Sequence, residues 1–249
     1  MLFNFLYLYF SILISSISII GNGILLKRIF KINNFENISE NAIFGIILIS
    51  INCFILNFFF KISSFISYLI LFLPILFCAK FFFKNKKKVL LFSLLVSLVS
   101  MIIMIFDNSN RPDAGLYHLP FSQIINEFKI ILGSANIHFR FGHTSILQYL
   151  SASFNNGIFT ENAVSIPLSF FFSVSVIYYY FQIKQEKEIF LKILLLLLLF
   201  NILYSMNRYS GLGNDEPAHI FFFLTLSSFI FCLIRNNCYK ELVIYSCYT

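Results

Sequence analysis

The chain has 249 residues, of which 59% are apolar and only 12% charged, with a mean hydropathy of +0.83. A soluble domain carries about 25% charged residues, and a protein of this size cannot hide so much apolar surface from water. A soluble enzyme, a disordered chain and a secreted disulfide domain are excluded, and an all-α fold, a polytopic transmembrane helix bundle, is expected. The formal net charge of +7 then concerns which side of the membrane the cations occupy, and nucleic acid is not an expected partner.

A hydrocarbon core about 30 Å thick takes about 20 apolar residues per helix. Apolar runs cover roughly 2–26, 42–60, 62–83, 89–106, 162–183, 189–204 and 218–234, and an eighth starts at 241–249. No Lys or Arg precedes the first run and no small-residue cleavage site follows it, so it reads as a retained span rather than a signal peptide. Residues 1–106 are thus expected to hold four N-terminal transmembrane helices, 107–161 an outer loop, and 162–249 three further helices plus the start of an eighth. The chain stops inside that eighth run, which reads as a fragment or a truncated gene product, inactive if the missing part closes the acceptor site.

The cations set an orientation. With the N-terminus outside, Lys27, Arg28, Lys31, Lys80, Lys84, Lys86, Lys87, Lys88, Lys184, Lys187, Lys192, Arg235 and Lys240 fall inside, and Lys61, Arg111, Lys129, Arg140 and Arg208 remain outside. The Lys84–Lys88 cluster reads as a topology signal rather than a binding patch. The expected location is a bacterial inner (cytoplasmic) membrane, with the long loop facing the periplasm or exterior. With 35 Phe and no Trp, plus abundant Ile, Asn and Lys, the aromatic content reflects A/T-rich codons more than a stacking surface. Cys53, Cys78, Cys232, Cys238 and Cys247 form no CxxC pair and read as small buried hydrophobes.

Residues 107–161 are the only long polar stretch. Phe121, Ile124, Ile125, Phe128, Ile131 and Leu132 recur at helical spacing, with Ser122, Gln123, Asn126, Glu127 and Lys129 between them. Pro120 suits a first helical position and Gly133 a C-terminal cap. Such a helix would lie in the outer membrane–water interface. A second interfacial helix is expected from about Thr144, carrying Ile146, Leu147 and Leu150 before an Asn155-Asn156-Gly157 turn.

Titratable residues crowd into two outer loops. The long loop carries Asp107, Arg111, Asp113, Tyr117, His118, Glu127, Asn136, His138, Arg140 and His143. The second carries Arg208, Asp215 and Glu216, with His219 just beyond. Solubility alone would not sort all four His and all three Asp this way, and titratable groups beside an apolar surface are what a catalytic or ligand site needs. Asp113, between Pro112 and Ala114-Gly115, is either a turn former or helix cap, or a general base that takes a proton from an acceptor hydroxyl. Asp215-Glu216, before Pro217, is either helix-start chemistry or a second acidic site. The latter would share a divalent cation, Mg or Mn, with Asp113, or orient a phosphate-bearing donor through it. No other cofactor is expected. His118, His138 and His143 match no zinc spacing and are better read as hydrogen-bond donors to phosphate or sugar. Arg140 and Arg208 are either interfacial anchors or bidentate phosphate ligands. There is no GxSxG, no phosphate-binding glycine loop and no GxGxxG.

The run Asp113-Ala-Gly-Leu-Tyr117-His118-Leu-Pro120, then Asn126-Glu127-Phe-Lys129, then Gly133-Ser-Ala-Asn136-Ile-His138-Phe-Arg140-Phe-Gly142 resembles the first outer loop of multi-pass C-type glycosyltransferases. These are the relatives of protein mannosyltransferases and of the enzymes that add aminoarabinose to lipid A. More closely, it is similar to a group of bacterial membrane proteins with a D-x-x-x-Y-H signature and an N-x-H-x-R-x-G segment. Asn214-Asp215-Glu216-Pro217 looks like a second acidic loop motif. The resemblance implies transfer of a sugar from a polyprenyl-phosphate carrier to a lipid, glycan or protein acceptor on the outer face, in cell-surface polysaccharide synthesis. It implies that Asp113 is catalytic. Tyr117, His118, Glu127, Asn136, His138, Arg140 and Arg208 are then the expected substrate contacts, and Asp215 and Glu216 the second acidic site. Two departures stand out: four spans precede the loop instead of one, and family members carry more helices. The alternatives are a transporter or flippase for lipid-linked saccharide, which would place charge near the bilayer midplane, and a non-catalytic membrane assembly subunit. The predicted spans carry almost no charge; Asn52 and Asn57 are their prominent polar residues, and isolated Asn more often bonds a neighbouring helix.

Overall fold

The computed structural model describes residues 2–32, 34–106, 113–142, 145–155, 159, 163–209, 215–235 and 239–246. Among these residues all regular structure is helical, and the protein is an all-α membrane protein.

The bundle is built around α1 (Leu2–Ile29) and α2 (Ile38–Asn57), which run antiparallel. Their backbones meet at two glycines. A Cβ on Gly23 would fall 1.5 Å from the Asn41 carbonyl oxygen, and one on Gly45 would fall 1.8 Å from that of Ile19. Without a hydrophobic drive between helices in lipid, such close backbone approach supplies the packing energy. The α2 start is capped by Asn37, whose side chain accepts from the Glu40 N–H at 3.1 Å. Polar side chains of α1 fasten it to α3 (Ser64–Phe77): the Asn22 carboxamide donates to the Ile70 carbonyl at 3.2 Å, and the Ser18 hydroxyl donates to that of Leu71.

The apolar run over 62–83 is not one helix. α3 ends at Phe77, Cys78 leaves helical geometry, and α4 (Ala79–Phe106) begins at once and kinks at Asn85. The carboxamide of Asn85 donates to the Phe81 carbonyl at the kink, at 3.2 Å. Lys80, Lys84, Lys86, Lys87 and Lys88 therefore stand on the exposed first turns of a helix and not on a loop. α3 has 14 residues and α8 (Ile189–Tyr204) has 16, about 21 and 24 Å at 1.5 Å per residue. Among the described residues five helices are long and apolar enough to cross a membrane, namely α1, α2, α4, α7 (Ile166–Gln185) and α9 (Asp215–Arg235), where seven runs were expected. α3 and α8 are shorter apolar helices, a mismatch that bilayer thinning or a helical break accommodates.

α4 and α7 are joined through serines: the Ser100 and Ser173 hydroxyls are 2.9 Å apart, and Ser100 donates to the Ser169 carbonyl at 3.3 Å. α7 meets α9 where Phe171 and Phe221 pack with ring centres 4.6 Å apart. α10 (Tyr239–Ser246) returns to the bundle and buries Tyr245 against Phe44 of α2. Cys53, Cys78 and Cys232 are buried free thiols; Cys238 and Cys247 lie outside the described residues.

These antiparallel pairings give the bundle two ends. One end gathers the last turns of α2 and α4 and the N-termini of α7 and α9. The other gathers the last turn of α1, the start of α4 and the last turn of α7, and carries most of the lysines. Lys27 is not a solvated loop residue there. It is fully buried, with Nζ 2.6 Å from Glu40 Oε2 and 2.6 Å from the Asn34 carbonyl oxygen, and 5.3 Å from the centre of the Phe44 ring. Arg28 donates to the Phe77 carbonyl at 2.9 Å.

Candidate functional site

The long loop is a fitted layer over the end of the bundle opposite the lysines. Its first described turn, Ala114–His118, is π-wound, with the Leu119 N–H donating to the Ala114 carbonyl five residues back. It runs directly into α5 (Leu119–Glu127), with Pro120 in the first turn. Single π turns in helices recur at functional sites, since the extra residue re-aims the side chains that precede it. Ala114 is buried with Val164 and Leu168, which fixes this turn on the N-terminal part of α7.

α5 is shorter than its apolar spacing predicts. It ends at Glu127; Phe128 is extended, and Gly133 is left-handed at φ 81° before a short 3-10 turn, so it does not cap this helix. The cause is competition from α2. The Asn57 carboxamide donates to the Phe128 carbonyl at 3.0 Å and lies 3.4 Å from that of Ile125. The Ile130 N–H donates to the Asn57 carbonyl at 3.0 Å, and the Ile62 N–H donates to that of Ile125 at 3.0 Å. These bonds need carbonyls and amides that a continued helix would consume. Asn126 adds a second rivet, donating to the carbonyls of Ile62 at 2.8 Å and Ala152 at 2.9 Å while accepting from Asn155 at 2.8 Å.

α6 (Ile146–Phe154) starts at a capping box. The Ser145 hydroxyl accepts from the Leu147 N–H, and Gln148 Oε1 accepts from the Ser145 N–H at 3.2 Å. This fixes the orientation of the Gln148 carboxamide, whose Nε2 lies 3.1 Å from Nδ1 of the buried His118. Nδ1 is then the acceptor and the His118 proton sits on Nε2. Below this pair Phe121 packs on Phe141 and Tyr149, with ring centres 5.6 and 6.5 Å away. Burial pushes the Tyr149 phenol up.

Around this core the expected residues separate into two groups. Tyr117 lies against His118 with ring centres 4.2 Å apart, and the guanidinium of Arg140 sits 5.2 Å from the Tyr117 ring centre and 5.2 Å from that of Phe139. His138 stacks on Phe139 at 5.2 Å, and its Nδ1 accepts the Arg140 N–H at 3.3 Å. Tyr117, His118, His138 and Arg140 thus form one cluster, which Asp113 precedes by one turn. Asp113 itself is exposed, and its side chain caps no helix. Glu127 is exposed and accepts from Gln123 at 3.0 Å, and Asn136 is exposed on the 3-10 turn after Gly133. Neither belongs to the ring cluster.

The second loop comes to the same end through α7. Arg208 is exposed, while its neighbour Tyr209 is buried against Phe172 at 4.9 Å. α9 opens at Asp215 and meets α7 two turns later at Phe221. α7 therefore bears the Ala114 anchor and both contacts of the second loop within its first turns. The side chains of Asp215 and Glu216, and all of Asp107, Arg111 and His143, lie outside the described residues. Among the described residues no three His, Cys, Asp or Glu side chains come together as a cation's ligand set would require.

Chemically, the exposed guanidinium of Arg140, 5.2 Å from the Tyr117 and Phe139 ring centres, can offer N–H groups to a phosphate. An exposed carboxylate one turn away can take a proton. Gln148, Asn57 and Asn126 were not singled out as site residues by the sequence. Their signal was the presence of carboxamides in otherwise apolar segments, which in lipid must find partners.

No curated protein and no solved structure matches the chain. The family model for a domain of unknown function, DUF8201, matches residues 4–249, and the chain belongs to that family.

Proposed function

We propose that the protein is a glycosyltransferase of the bacterial inner membrane that moves a sugar from a polyprenyl-phosphate carrier to a lipid, glycan or protein acceptor, in cell-surface polysaccharide synthesis. The observation that carries this reading is the placement of exposed Asp113 one turn before the Tyr117–Arg140 contact, on a loop riveted to the end of the bundle away from the lysines. By the excess of cations at the other end, the loop faces the periplasm or exterior. The likeness of the loop to C-type glycosyltransferases supports the same reading.

In this reaction Asp113 accepts the proton of an acceptor hydroxyl as its oxygen bonds to the anomeric carbon. The bond from that carbon to the phosphate oxygen breaks, and the polyprenyl phosphate leaves with the electron pair. Arg140, with Arg208 from the second loop, binds the phosphate as its charge grows. His118 offers its Nε2–H to sugar or phosphate oxygen, and His138 orients the Arg140 segment.

The transporter alternative expects charge near the bilayer midplane. The buried Lys27–Glu40 pair instead joins the last turn of α1 to the first turn of α2, which favours the transferase. The test is transfer from a radiolabelled polyprenyl-phosphate sugar in membranes that contain the protein. Asp113→Asn abolishes transfer at unchanged protein level; persistent transfer would remove Asp113 from the mechanism.

A further inference from the structure

A cavity lies at the lysine-rich end, away from the loop. It has a volume of about 890 Å³ and is bounded by the 34–40 segment, α4, α7 and α9. That is within the range of sites for whole small ligands, about 300–1,000 Å³. Its walls are graded along the helices. At the outer level stand Lys88 of α4, Gln182 and Gln185 of α7, and Asn34, Glu36 and Asn37 of the connecting segment. About two turns deeper the same helices present Leu95 and Ile177, and α9 adds Ser228 and Phe231 to the wall. Polar and apolar levels thus follow the same order on α4 and α7, although the two helices run antiparallel.

The cavity also opens sideways. Leu91, Leu95, Tyr180 and Phe181 line it and are 67%, 49%, 56% and 44% exposed. Exposed apolar side chains on membrane-crossing helices face lipid, so the entrance between α4 and α7 leads into the bilayer. A ligand that enters this way and matches the gradient has an acyl chain below and a polar head above.

The chemistry of the upper level selects the head. Carboxamides both donate and accept, as hydroxyls do. The charges are balanced: Lys27 is engaged by Glu40, and Lys88 and Glu36 offset each other. A strongly anionic head would meet Glu36, and a cationic head would meet Lys88. A neutral, hydroxyl-rich head leaves none of the carboxamides unsatisfied.

We propose that this cavity binds a membrane lipid with an uncharged polyhydroxyl headgroup, entering between α4 and α7. The site is separate from the loop site and does not rest on the transferase reading.

The test uses the full chain in phosphatidylcholine nanodiscs doped with monogalactosyl diacylglycerol carrying a photoreactive diazirine in its acyl chain. Crosslinked peptides are mapped by mass spectrometry. Labelling is expected within 91–95 and 177–181, competed by unlabelled galactolipid and not by phosphatidylglycerol. The pair Gln182→Leu and Gln185→Leu lowers it about tenfold, the change that loss of one or two hydrogen bonds produces. Asp113→Asn leaves it unchanged. Equal competition by phosphatidylglycerol, or labelling indifferent to the glutamine substitutions, overturns the proposal whatever the transfer assay shows. Leu95→Trp, which fills the chain channel and touches no polar group, supplies a second variant: it too lowers labelling, and full labelling in a folded Leu95→Trp protein refutes the entry route.

Discussion

Gln148 of α6 and His118 of the π-wound turn face each other at 3.1 Å, and the capping box of α6 fixes which atom of the carboxamide points at the ring. One side chain thereby starts a helix, sets a histidine tautomer and ties two segments of the loop 30 residues apart. Gln148→Leu removes all three at once. It costs about 1–3 kcal/mol, the penalty of leaving buried polar groups without partners, read as a lower unfolding temperature of the detergent-solubilised protein. Gln148→Glu keeps the shape and places a carboxylate against the ring, raising the pKa of His118 in NMR titration. An unchanged titration would show that the two groups do not meet.

The Gly23 and Gly45 contacts set the spacing of α1 and α2. Gly23→Ala or Gly45→Ala drives a methyl into a carbonyl oxygen and forces the helices apart. The expected loss is about 1–3 kcal/mol for each substitution, as for other overpacked interiors. Gly115→Ala, where a Cβ meets nothing within 4 Å, is the matched control and leaves the unfolding temperature almost unchanged.

Lys27 and Glu40 are a buried pair at the lysine-rich end. Lys27→Met alone leaves the Glu40 carboxylate buried without its lysine and costs about 3–5 kcal/mol. Combining Lys27→Met with Glu40→Leu recovers most of that loss, because both desolvation penalties disappear together. A thermal-unfolding double-mutant cycle reads the coupling; additive effects would show that the pair is not coupled.

Asn57→Leu takes the carboxamide away from the carbonyls of Phe60, Ile125 and Phe128. The loop then loosens while the α1–α2 pair stays intact. Amide exchange at Ile62 and Ile130 accelerates about tenfold or more, since each lost buried hydrogen bond is worth about 0.5–1.5 kcal/mol. Unaltered exchange at these two amides would contradict the rivet.

Arg140→Lys preserves charge but loses the planar fork beside Tyr117. In the proposed reaction it raises the KM for the polyprenyl-phosphate donor about tenfold and leaves the acceptor KM unchanged. An equal rise in both would place Arg140 outside the phosphate site.

Composition and period alone determined that this chain is a helical membrane protein, because 59% apolar residues in long runs have no other stable arrangement. A helix was expected from about Thr144, and α6 starts at Ile146, where Ser145 and Gln148 form a capping box. The end of α5 was not legible, because the helix yields to bonds with Asn57, some 70 residues earlier in the chain. Neither was the break at Cys78, which divides an uninterrupted apolar run. Lys27 read as a topology charge, since nothing local distinguishes a solvated lysine from one that Glu40 meets across a turn between helices. The two outer loops were identified by their residue types, but their convergence on the first turns of α7 was decided by packing of Ala114, Tyr209 and Phe221. Periodicity records which side of a helix avoids water or lipid; which helix it meets, and at what depth, depends on shape complementarity between segments far apart in sequence, and that exists only in the folded bundle.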